Sequence, residues 1–342
     1  MIDDLDRKIL RALTFDVRLP FATLGSVLGV SEQTVKRRYE RLVRAGVARV
    51  FVMQNTQVIG LPRWLLRMRP MPGETGRLAD LLAGHPDISW VTEQSGSTEV
   101  AAIYRPPSES ARNDLLRDRL PRTSLIADLR MQSILFRYVS DGGLPGTRDA
   151  LTVDQERALL AVADPAHRVV DLLEQTPHGI QTPLDAVDER IVAVLERDGR
   201  TPYAAVARAV GVGPARVTQR VAALVASGRL YFDLDLAMMA LGFHRGAQLY
   251  LSCAPSALDR IGRELARAEE VPFVGMTSGP TNLTASAVFR DDAHIYEFVT
   301  GTLGRLDGIT SMDLAPISRP VKSARSFQAG AVLSAIPPLA RR

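Results

Sequence analysis

Residues 3–50 read DDLDRKILRALTFDVRLPFATLGSVLGVSEQTVKRRYERLVRAGVARV, and a related stretch occurs later in the same chain. The two align without a gap on residues 185–232, which read DAVDERIVAVLERDGRTPYAAVARAVGVGPARVTQRVAALVASGRLYF, with 15 of 48 positions identical. A repeat spacing of 182 residues is too long for a solenoid. It indicates that a complete domain arrangement is present in two tandem copies. The fold of this segment therefore gives one of the two kinds of domain in each copy.

Each copy has the pattern of three short helices. In the first copy, Asp3 or Asp4 can cap a helix with apolar residues three and four positions apart, and Ser31 can cap the third helix. Pro20 suits the first turn of the second helix, and Gly29 breaks the chain after it. Three helices with a short glycine-containing turn before the last predict a helix-turn-helix, whose third helix enters the major groove of DNA. We call each three-helix domain a reader.

The third helix of each reader carries the candidate DNA contacts. In the major groove, glutamine can pair with adenine and arginine or lysine with guanine, while other polar groups contact phosphates. The candidates in the first reader are Ser31, Gln33, Thr34, Lys36, Arg37, Arg38 and Arg41. Those in the second reader are Arg216, Thr218, Gln219 and Arg220. A solvated basic helix face without a DNA partner is the alternative, but its place in a repeated three-helix pattern favours a reader.

Charge separates the two readers. Residues 1–61 carry ten Lys/Arg and six Asp/Glu, whereas residues 184–243 carry seven of each. Because neutralised phosphates dominate the affinity for DNA, we expect the first reader to bind more strongly. The second reader either recognises different bases or has become a structural part.

Composition limits the class of protein. The 342 residues are 46% apolar, which is ordinary for a globular protein of about two to four domains. No apolar run approaches the roughly 20 residues of a membrane span, and the first residues lack an apolar signal core. The single cysteine, Cys253, excludes an intramolecular disulfide and a thiolate metal cluster, and it is expected in a core. We therefore expect a cytoplasmic protein with no membrane contact, no bound metal and no cofactor.

Alternating strand and helix signals follow each reader in the order βαββαβ, the ferredoxin-like motif. In both halves the second and third strands flank a turn, at residues 95–98 and 278–281. Such a sheet has helices on one face only, and another copy of the domain is the natural cover for the other face. The two halves can pair within one chain or across two chains.

A helix-turn-helix followed by βαββαβ resembles the Lrp/AsnC (leucine-responsive, feast/famine) bacterial transcription regulators. The motifs that carry the resemblance in the first copy are Leu5–Leu10, Leu28–Ser31 and Val35–Val47, and in the second copy Val187–Val192, Val210–Val212 and Val217–Gly228. The resemblance implies an α+β fold with two winged, three-helix helix-turn-helix domains alternating with two ferredoxin-like (RAM-type) domains. It also implies double-stranded DNA as partner, and a homodimer or larger homo-oligomer.

The resemblance further implies a small effector, often an amino acid, near the hairpin between the second and third strands. This region corresponds to Gly96, Ser97, Thr98 and Glu99 in the first half and to Gly279, Thr281 and Asn282 in the second. The family commonly places an aspartate close after the glycine, whereas this chain has Glu99 and Asn282. The identity of the ligand and the number of functional hairpins therefore stay open. Plain hairpin turns, where Gly, Ser and Thr are common, are the alternative.

The expected division of the chain has six parts. They are reader 1 at 1–52, ferredoxin-like domain 1 at 53–139, a linker at 140–183, reader 2 at 184–234, ferredoxin-like domain 2 at 235–323 and a basic tail at 324–342. In the linker, Thr152–Gln155 has the form of a capping box, and a second helix is predicted through Val169, Val170, Leu172 and Leu173. The acidic linker is thus expected to be a structured connector rather than a tether.

Two other functions compete with a sequence-specific regulator. Siroheme decarboxylases resemble Lrp/AsnC proteins in fold, and His244 with Arg245 is the nearest feature here to their basic pocket. However, the sequence has no glycine-rich phosphate loop, no Gly-x-Ser-x-Gly motif and no histidine pair at metal-binding spacing, so no enzyme is expected. An architectural protein that bends DNA with little sequence preference is the third possibility.

Overall fold

The computed structural model describes residues 2–138, 144–169, 182–330 and 332–335. The helices and strands of the first half are α1 (Asp4–Phe15), α2 (Phe21–Leu28), α3 (Glu32–Arg44), β1 (Ala48–Gln54), β2 (Arg63–Pro70), α4 (Thr75–Ala83), β3 (Ile88–Gln94), β4 (Glu99–Tyr104), α5 (Glu109–Asn113), α6 (Leu120–Arg122) and β5 (Ile126–Tyr138). Those that follow are α7 (Val153–Val162), α8 (Ala186–Leu195), α9 (Tyr203–Val210), α10 (Pro214–Ala226), β6 (Leu230–Leu236), β7 (Arg245–Cys253), α11 (Leu258–Arg267), β8 (Phe273–Thr277), β9 (Leu283–Phe289), α12 (Asp292–Glu297), β10 (Ile309–Lys322), β11 (Ser326–Ala329) and β12 (Val332–Ala335).

Internal contacts divide the chain into two units. One combines both readers with the connector, within 1–60, 146–240 and 331–335; the other combines both ferredoxin-like halves, within 61–145 and 241–330. Because each domain packs with its repeat equivalent, the chain passes from one unit to the other several times along its length. None of the helices in the described part of the chain is long and apolar enough to cross a membrane.

Both readers contain the three predicted helices. Asp3 caps α1: its carboxylate accepts a hydrogen bond from the Asp6 backbone N–H at 3.0 Å, and the Asp6 carboxylate accepts one from the Asp3 N–H at 3.1 Å. Gly29 ends α2 at φ 70°, a left-handed conformation that glycine adopts without steric cost. Gly211 does the same after α9 at φ 77°. Local sequence signals therefore set the helix boundaries in both copies.

A two-stranded antiparallel ribbon joins the two readers. β1 pairs with β6 over all seven residues, from Ala48 opposite Leu236 to Gln54 opposite Leu230. At the centre, Phe51 lies opposite Asp233, and these two positions are also equivalent in the repeat. A residue that faces its own repeat equivalent marks a local twofold axis, so the ribbon relates the readers by near-twofold symmetry.

Two arginines at equivalent repeat positions fasten the readers reciprocally. Arg18 donates to the backbone carbonyls of Gly199 and, at 3.0 Å, Thr201. Arg200 donates to those of Val17 and, at 3.0 Å, Leu19. Each guanidinium also covers an aromatic ring of the opposite reader: that of Arg18 lies 4.1 Å from the Tyr203 ring centre and that of Arg200 4.4 Å from the Phe21 ring centre. Charged donors and ring contacts therefore hold the joint from both sides.

The described part of the linker packs on the readers. Thr152 and Gln155 form the predicted capping box of α7, and the Arg11 guanidinium pairs with Glu156 at 2.6 Å. The prediction of a second linker helix is wrong at its first residue, Val169, which forms a β-bridge with Phe232 instead. The rest of that helix, at Val170, Leu172 and Leu173, lies outside the described residues.

The ferredoxin-like halves pair within the chain, which answers the question that the sequence left open. The first half has the strand order β3-β4-β2-β5 and the second β8-β9-β7-β10. The free edges then join, β5 to β8 and β10 to β3, so that these eight antiparallel strands close into a ring. Closure leaves neither half with an unpaired edge at these strands.

Each half of the ring has its own core under its helices. Leu66, Leu82 and Tyr104 are buried in the first half, and Leu249, Ile261 and Phe289 in the second. The inner faces meet in a smaller apolar cluster of Leu65, Ile134, Tyr250 and Ala315, which gives each sheet the cover that a one-sided sheet requires.

The segment assigned to a basic tail is corrected by the structure, because it contains two strands. In the ferredoxin-like unit, Phe327 of β11 pairs with Lys322 of β10. In the reader unit, β12 lies against the end of α3, where the Leu333 N–H donates to the Gly46 carbonyl at 2.7 Å. Apolar residues between the basic ones, such as the buried Leu333, explain why this segment packs.

Candidate DNA interface and effector hairpins

The third helix of reader 1 begins at a polar cap. The Ser31 hydroxyl accepts a hydrogen bond from the Thr34 N–H at 3.2 Å and lies 2.9 Å from the Thr34 hydroxyl. Val35, Tyr39 and Leu42 are buried on its inner face, as predicted. The hydroxyls of Ser31 and Thr34 therefore stabilise the start of α3, next to any DNA that the helix contacts.

Three predicted contact residues form an exposed outer face at the start of α3. Gln33, Lys36 and Arg37 are exposed, and neither Lys36 nor Arg37 has an ion-pair partner among the residues that the structure describes. Arg44, about two turns further along, is also exposed and donates to the Glu40 carbonyl at 3.2 Å. Uncompensated cations on one helix face are the arrangement that phosphate binding requires.

Arg38 and Arg41, also predicted as DNA contacts, turn towards α1 instead. Arg38 forms ion pairs with Asp3 and, at 3.3 Å, with Asp6, and Arg41 pairs with Asp6. The hydrogen bond from Arg38 is the main reason why the pKa of Asp3 falls to about 2. Because Asp6 is fully buried, these arginines compensate a carboxylate that would otherwise be costly to bury. They hold α3 against α1, and any contact they make with DNA remains a prediction.

Reader 2 repeats the Arg38 part of this clamp, but it has alanine at the position of Arg41 and lacks the basic face. Arg220 pairs with Asp185 and Asp188 at 2.7 Å each, and the pKa of Asp185 falls to about 2 through the Asp188 backbone N–H and Arg220. The Thr218 hydroxyl donates to the Pro214 carbonyl at 3.2 Å. Arg216 and Gln219 are exposed. The second reader therefore presents a polar, less charged surface on the same scaffold.

The first effector hairpin turns through three residues with positive φ, Ser95 (53°), Gly96 (67°) and Ser97 (61°). The Ser97 hydroxyl donates to Glu93 at 2.9 Å, and the Thr98 hydroxyl donates to the Ser95 carbonyl at 2.8 Å. Apart from its two chain neighbours, no described residue has an atom within 4 Å of the position that a Cβ of Gly96 would occupy. The turn is thus closed by its own hydroxyls and remains open on the glycine side.

Glu99 lies in a charged cavity at the base of this hairpin. Arg67 contacts Glu99 and Asp313 at 2.7 Å each. The cavity measures about 240 Å³, and Arg69 and Arg130 are also in its wall. Charges of both signs face one small space, an arrangement that can bind the ammonium and carboxylate groups of a zwitterion.

The second effector hairpin is occupied by a side chain of the first half. Gln132, on β5, donates its amide N–H groups to the Ser278 and Thr281 carbonyls at 2.6 and 2.9 Å and lies 3.2 Å from the Thr281 hydroxyl. Its amide nitrogen would be 3.0 Å from a Cβ at Gly279. The Asn282 side chain accepts from the Cys253 N–H and donates to the Cys253 carbonyl, both at 2.8 Å. The polar groups of this hairpin are therefore engaged within the protein.

Sequence reasoning missed Gln132, Arg67 and Asp313. Gln132 acts on a hairpin 146 residues away, and only the β5–β8 pairing brings the two together. Arg67 gave no separate signal, because it is one of three arginines that alternate with apolar residues in β2. His244 and Arg245, the nearest feature in the sequence to a decarboxylase-type basic pocket, lie on the surface: Arg245 pairs with Asp292 at 2.8 Å, and both residues are exposed.

Comparison with known proteins assigns the domains. The model of the AsnC-type helix-turn-helix domain matches residues 2–43 and 184–225, and that of the Lrp/AsnC ligand binding domain matches residues 247–327. This chain is built from Lrp/AsnC-family domains. The first ferredoxin-like half is not in the matched range, but it has the same strand order as the second. The chain therefore has two AsnC-type helix-turn-helix domains and an Lrp/AsnC ligand binding domain, an arrangement consistent with a tandem form of this family.

Individual relatives agree with this assignment. An HTH-type transcriptional regulator of Pyrococcus horikoshii is 26% identical over 138 residues, which are 40% of this chain and 87% of the relative. The regulator LrpA of the same organism is 25% identical over 140 residues, 41% of this chain and 99% of the relative. Among solved structures, the siroheme decarboxylase NirDL has a TM-score of 0.61 at 16% identity and covers 96% of both chains. At that identity the similarity concerns the fold alone.

Proposed function

We propose that this Lrp/AsnC-type chain is a cytoplasmic, sequence-specific regulator of transcription that binds double-stranded DNA through its readers. The observation that carries the proposal is the exposed face of α3, where Gln33, Lys36 and Arg37 are free of the ion pairs that engage Arg38 and Arg41. A glutamine beside two cations supplies both base recognition and phosphate contacts.

The strand ring is the proposed sensor and assembly part. Its first hairpin supports an effector of the amino-acid class, because Gly96 is open and Glu99 lies in a cavity with charges of both signs. An ammonium group would bind Glu99 or Asp313, and a carboxylate would bind Arg69 or Arg130. Since the ring already pairs the two halves within one chain, a homo-oligomer would assemble through surfaces outside this pairing.

An enzymatic role on the same fold receives less support from the side chains. The residues nearest to a basic tetrapyrrole pocket, His244 and Arg245, lie on the surface, and Arg245 is paired with Asp292. A decarboxylase would also have no use for the uncompensated cations of α3. An architectural DNA-binding protein shares those cations but would discriminate weakly between sequences.

The test is binding of the full chain to the DNA upstream of its own gene, against random DNA, over a range of salt concentrations. We expect specific retention with a steep salt dependence, and weaker binding for Arg37→Ala than for Arg208→Ala, an exposed arginine on α9. Equal binding to all sequences would favour the architectural protein. Absence of DNA binding at low salt would contradict the proposal, and tetrapyrroles would be the next ligands to test.

A further inference from the structure

We propose that one chain recognises a non-palindromic DNA site in a single orientation, because it holds two unlike readers on one near-twofold frame. The inference rests on the proposed DNA binding. A symmetric pair of identical readers recognises inverted half-sites and can bind them in either orientation. Two unlike readers in the same frame still require inverted half-sites, but the half-sites must differ.

The frame is the same on both sides of the local axis. The ribbon of β1 and β6 is centred on the equivalent residues Phe51 and Asp233. Arg18 and Arg200 exchange equivalent backbone contacts across it. In each reader, the third helix is held by the same clamp, Arg38 on Asp3 and Asp6 or Arg220 on Asp185 and Asp188. The two third helices therefore have equivalent positions within their readers.

The exposed faces of those helices differ at the positions that would contact DNA. Lys36, Arg37 and Arg44 of reader 1 correspond to Thr218, Gln219 and Ala226 of reader 2, and all six are exposed. The reverse change occurs once, where Thr34 corresponds to the exposed Arg216. Among the described residues, α3 thus has three cations without an ion-pair partner and α10 has one. Arg38 and Arg220 add nothing to this difference because both are paired, and Arg41, which corresponds to Ala223, is paired with Asp6.

The difference in the number of unpaired cations can be converted into an expected difference in DNA affinity. Each phosphate contact contributes about 0.9 to the slope of log K against log salt, which is about a fivefold gain in affinity at 0.15 M salt. Three contacts from reader 1 amount to about a hundredfold, whereas one from reader 2 amounts to about fivefold. The bases read also differ, because Arg37 suits guanine and Gln219 suits adenine. A reversed site would place each reader on the wrong half.

The experiment is selection from a random double-stranded DNA library with the full chain, followed by affinity measurements on three designed sites. These are the selected site and two palindromes, each made by duplicating one half. We expect the selected site to be non-palindromic and to bind about tenfold or more tightly than either palindrome, since each palindrome mismatches one reader. A palindromic selected site, or equal affinity for all three, would overturn the inference while leaving DNA binding intact.

Three variants test whether the named residues determine the orientation in which the chain binds its DNA site. The triple variant Lys36→Thr, Arg37→Gln, Arg44→Ala is expected to lose about a hundredfold and about 2.7 in salt slope, whereas Arg216→Ala loses about fivefold and about 0.9. Arg208→Ala is the control for the loss of one exposed charge. The converse variant Thr218→Lys, Gln219→Arg, Ala226→Arg should prefer the palindrome of the reader 1 half. If this variant keeps the original preference, the third helices do not determine the orientation of the chain on its DNA site. If the folded chain binds no DNA at any salt concentration, the proposed function itself fails.

Discussion

Removal of the Arg200 side chain should weaken the joint between the readers more than any other single truncation on this surface. Its guanidinium donates to the carbonyls of Val17 and Leu19 and lies 4.4 and 5.1 Å from the ring centres of Phe21 and Tyr39. Hydrogen bonds from a charged donor contribute about 1.5–3 kcal/mol each, and a partly desolvated cation–π contact about 1–2 kcal/mol. Because water replaces part of the lost bonding, we expect Arg200→Ala to cost about 4 kcal/mol.

The assay is thermal and urea unfolding of the full chain, followed by circular dichroism, with hydrogen exchange to locate the effect. For a unit of this size, about 4 kcal/mol corresponds to a fall in Tm of about 10 °C. Exchange should accelerate first in β1 and β6, since the ribbon depends on the joint. Arg18→Ala is the matched variant, because Arg18 makes the equivalent contacts to Gly199, Thr201 and the Tyr203 ring. Arg208→Ala should change stability by less than about 0.5 kcal/mol.

Two results would refute this reasoning. A loss below about 1 kcal/mol for Arg200→Ala would mean that the ribbon and the apolar contacts alone hold the readers, with the arginines solvated at little cost. A large loss for Arg200→Ala with none for Arg18→Ala would contradict the twofold equivalence of the joint.

Three further predictions concern the ferredoxin-like unit. Burial, with Arg325 and Arg105 nearby, lowers the pKa of Lys322 to about 7. Because the unfolded chain then binds this proton more strongly than the folded chain between about pH 7 and 10.5, the free energy of unfolding should rise with pH in this range, by up to about 1.4 kcal/mol per pH unit. Denaturant titrations should show that Lys322→Met loses this rise. Gln132→Ala should free the second hairpin, so that calorimetry with the amino acid that binds the wild type detects an additional binding event; unchanged stoichiometry would mean that Gln132 is only structural. Gly262→Ala would place a methyl group on the buried Tyr138 ring and should cost about 1–3 kcal/mol or more in unfolding experiments. The same change at Gly301 should cost less than half as much, because outside its own helix backbone and chain neighbours no described residue lies within 4 Å of the added carbon.

The parts of the fold that depend on local chemistry could be predicted from the sequence. Caps at Asp3, Ser31 and Thr152, the glycine that ends α2 and the buried face of α3 all depend on residues within a few positions of each other. The strand order of each ferredoxin-like half follows from a known motif. The prediction of a second linker helix failed at Val169, where a β-bridge to the distant Phe232 replaces the helix that the local pattern indicates.

The candidate sites were less predictable, because they depend on which distant elements meet. Helical periodicity places Arg38 and Arg41 at the edge of the outer face of α3, and only the crossing of α3 over α1 shows that both reach Asp6. In the same way, nothing near Gln132 in the sequence indicates a hairpin ligand, because its partners come from β8 and β9 through the closure of the ring. Periodicity can therefore identify an exposed position but cannot tell whether its side chain is already paired.

The identities between the two readers now have a physical explanation, and it bears on whether reader 2 still functions. Identical pairs include the clamp residues Asp3 and Asp185, Asp6 and Asp188, and Arg38 and Arg220, the joint residues Arg18 and Arg200, and the left-handed glycines Gly29 and Gly211, and Gly46 and Gly228. These residues hold the frame, and the changed positions of the third helix lie on its exposed face except for the buried pair Tyr39 and Val221. Any helix that faces solvent has a polar outer face, so the exposed Arg216, Thr218 and Gln219 fit both a reader and a structural copy. Loss of DNA affinity in Arg216→Ala is therefore the measurement that separates a second reader of a different half-site from a purely structural copy.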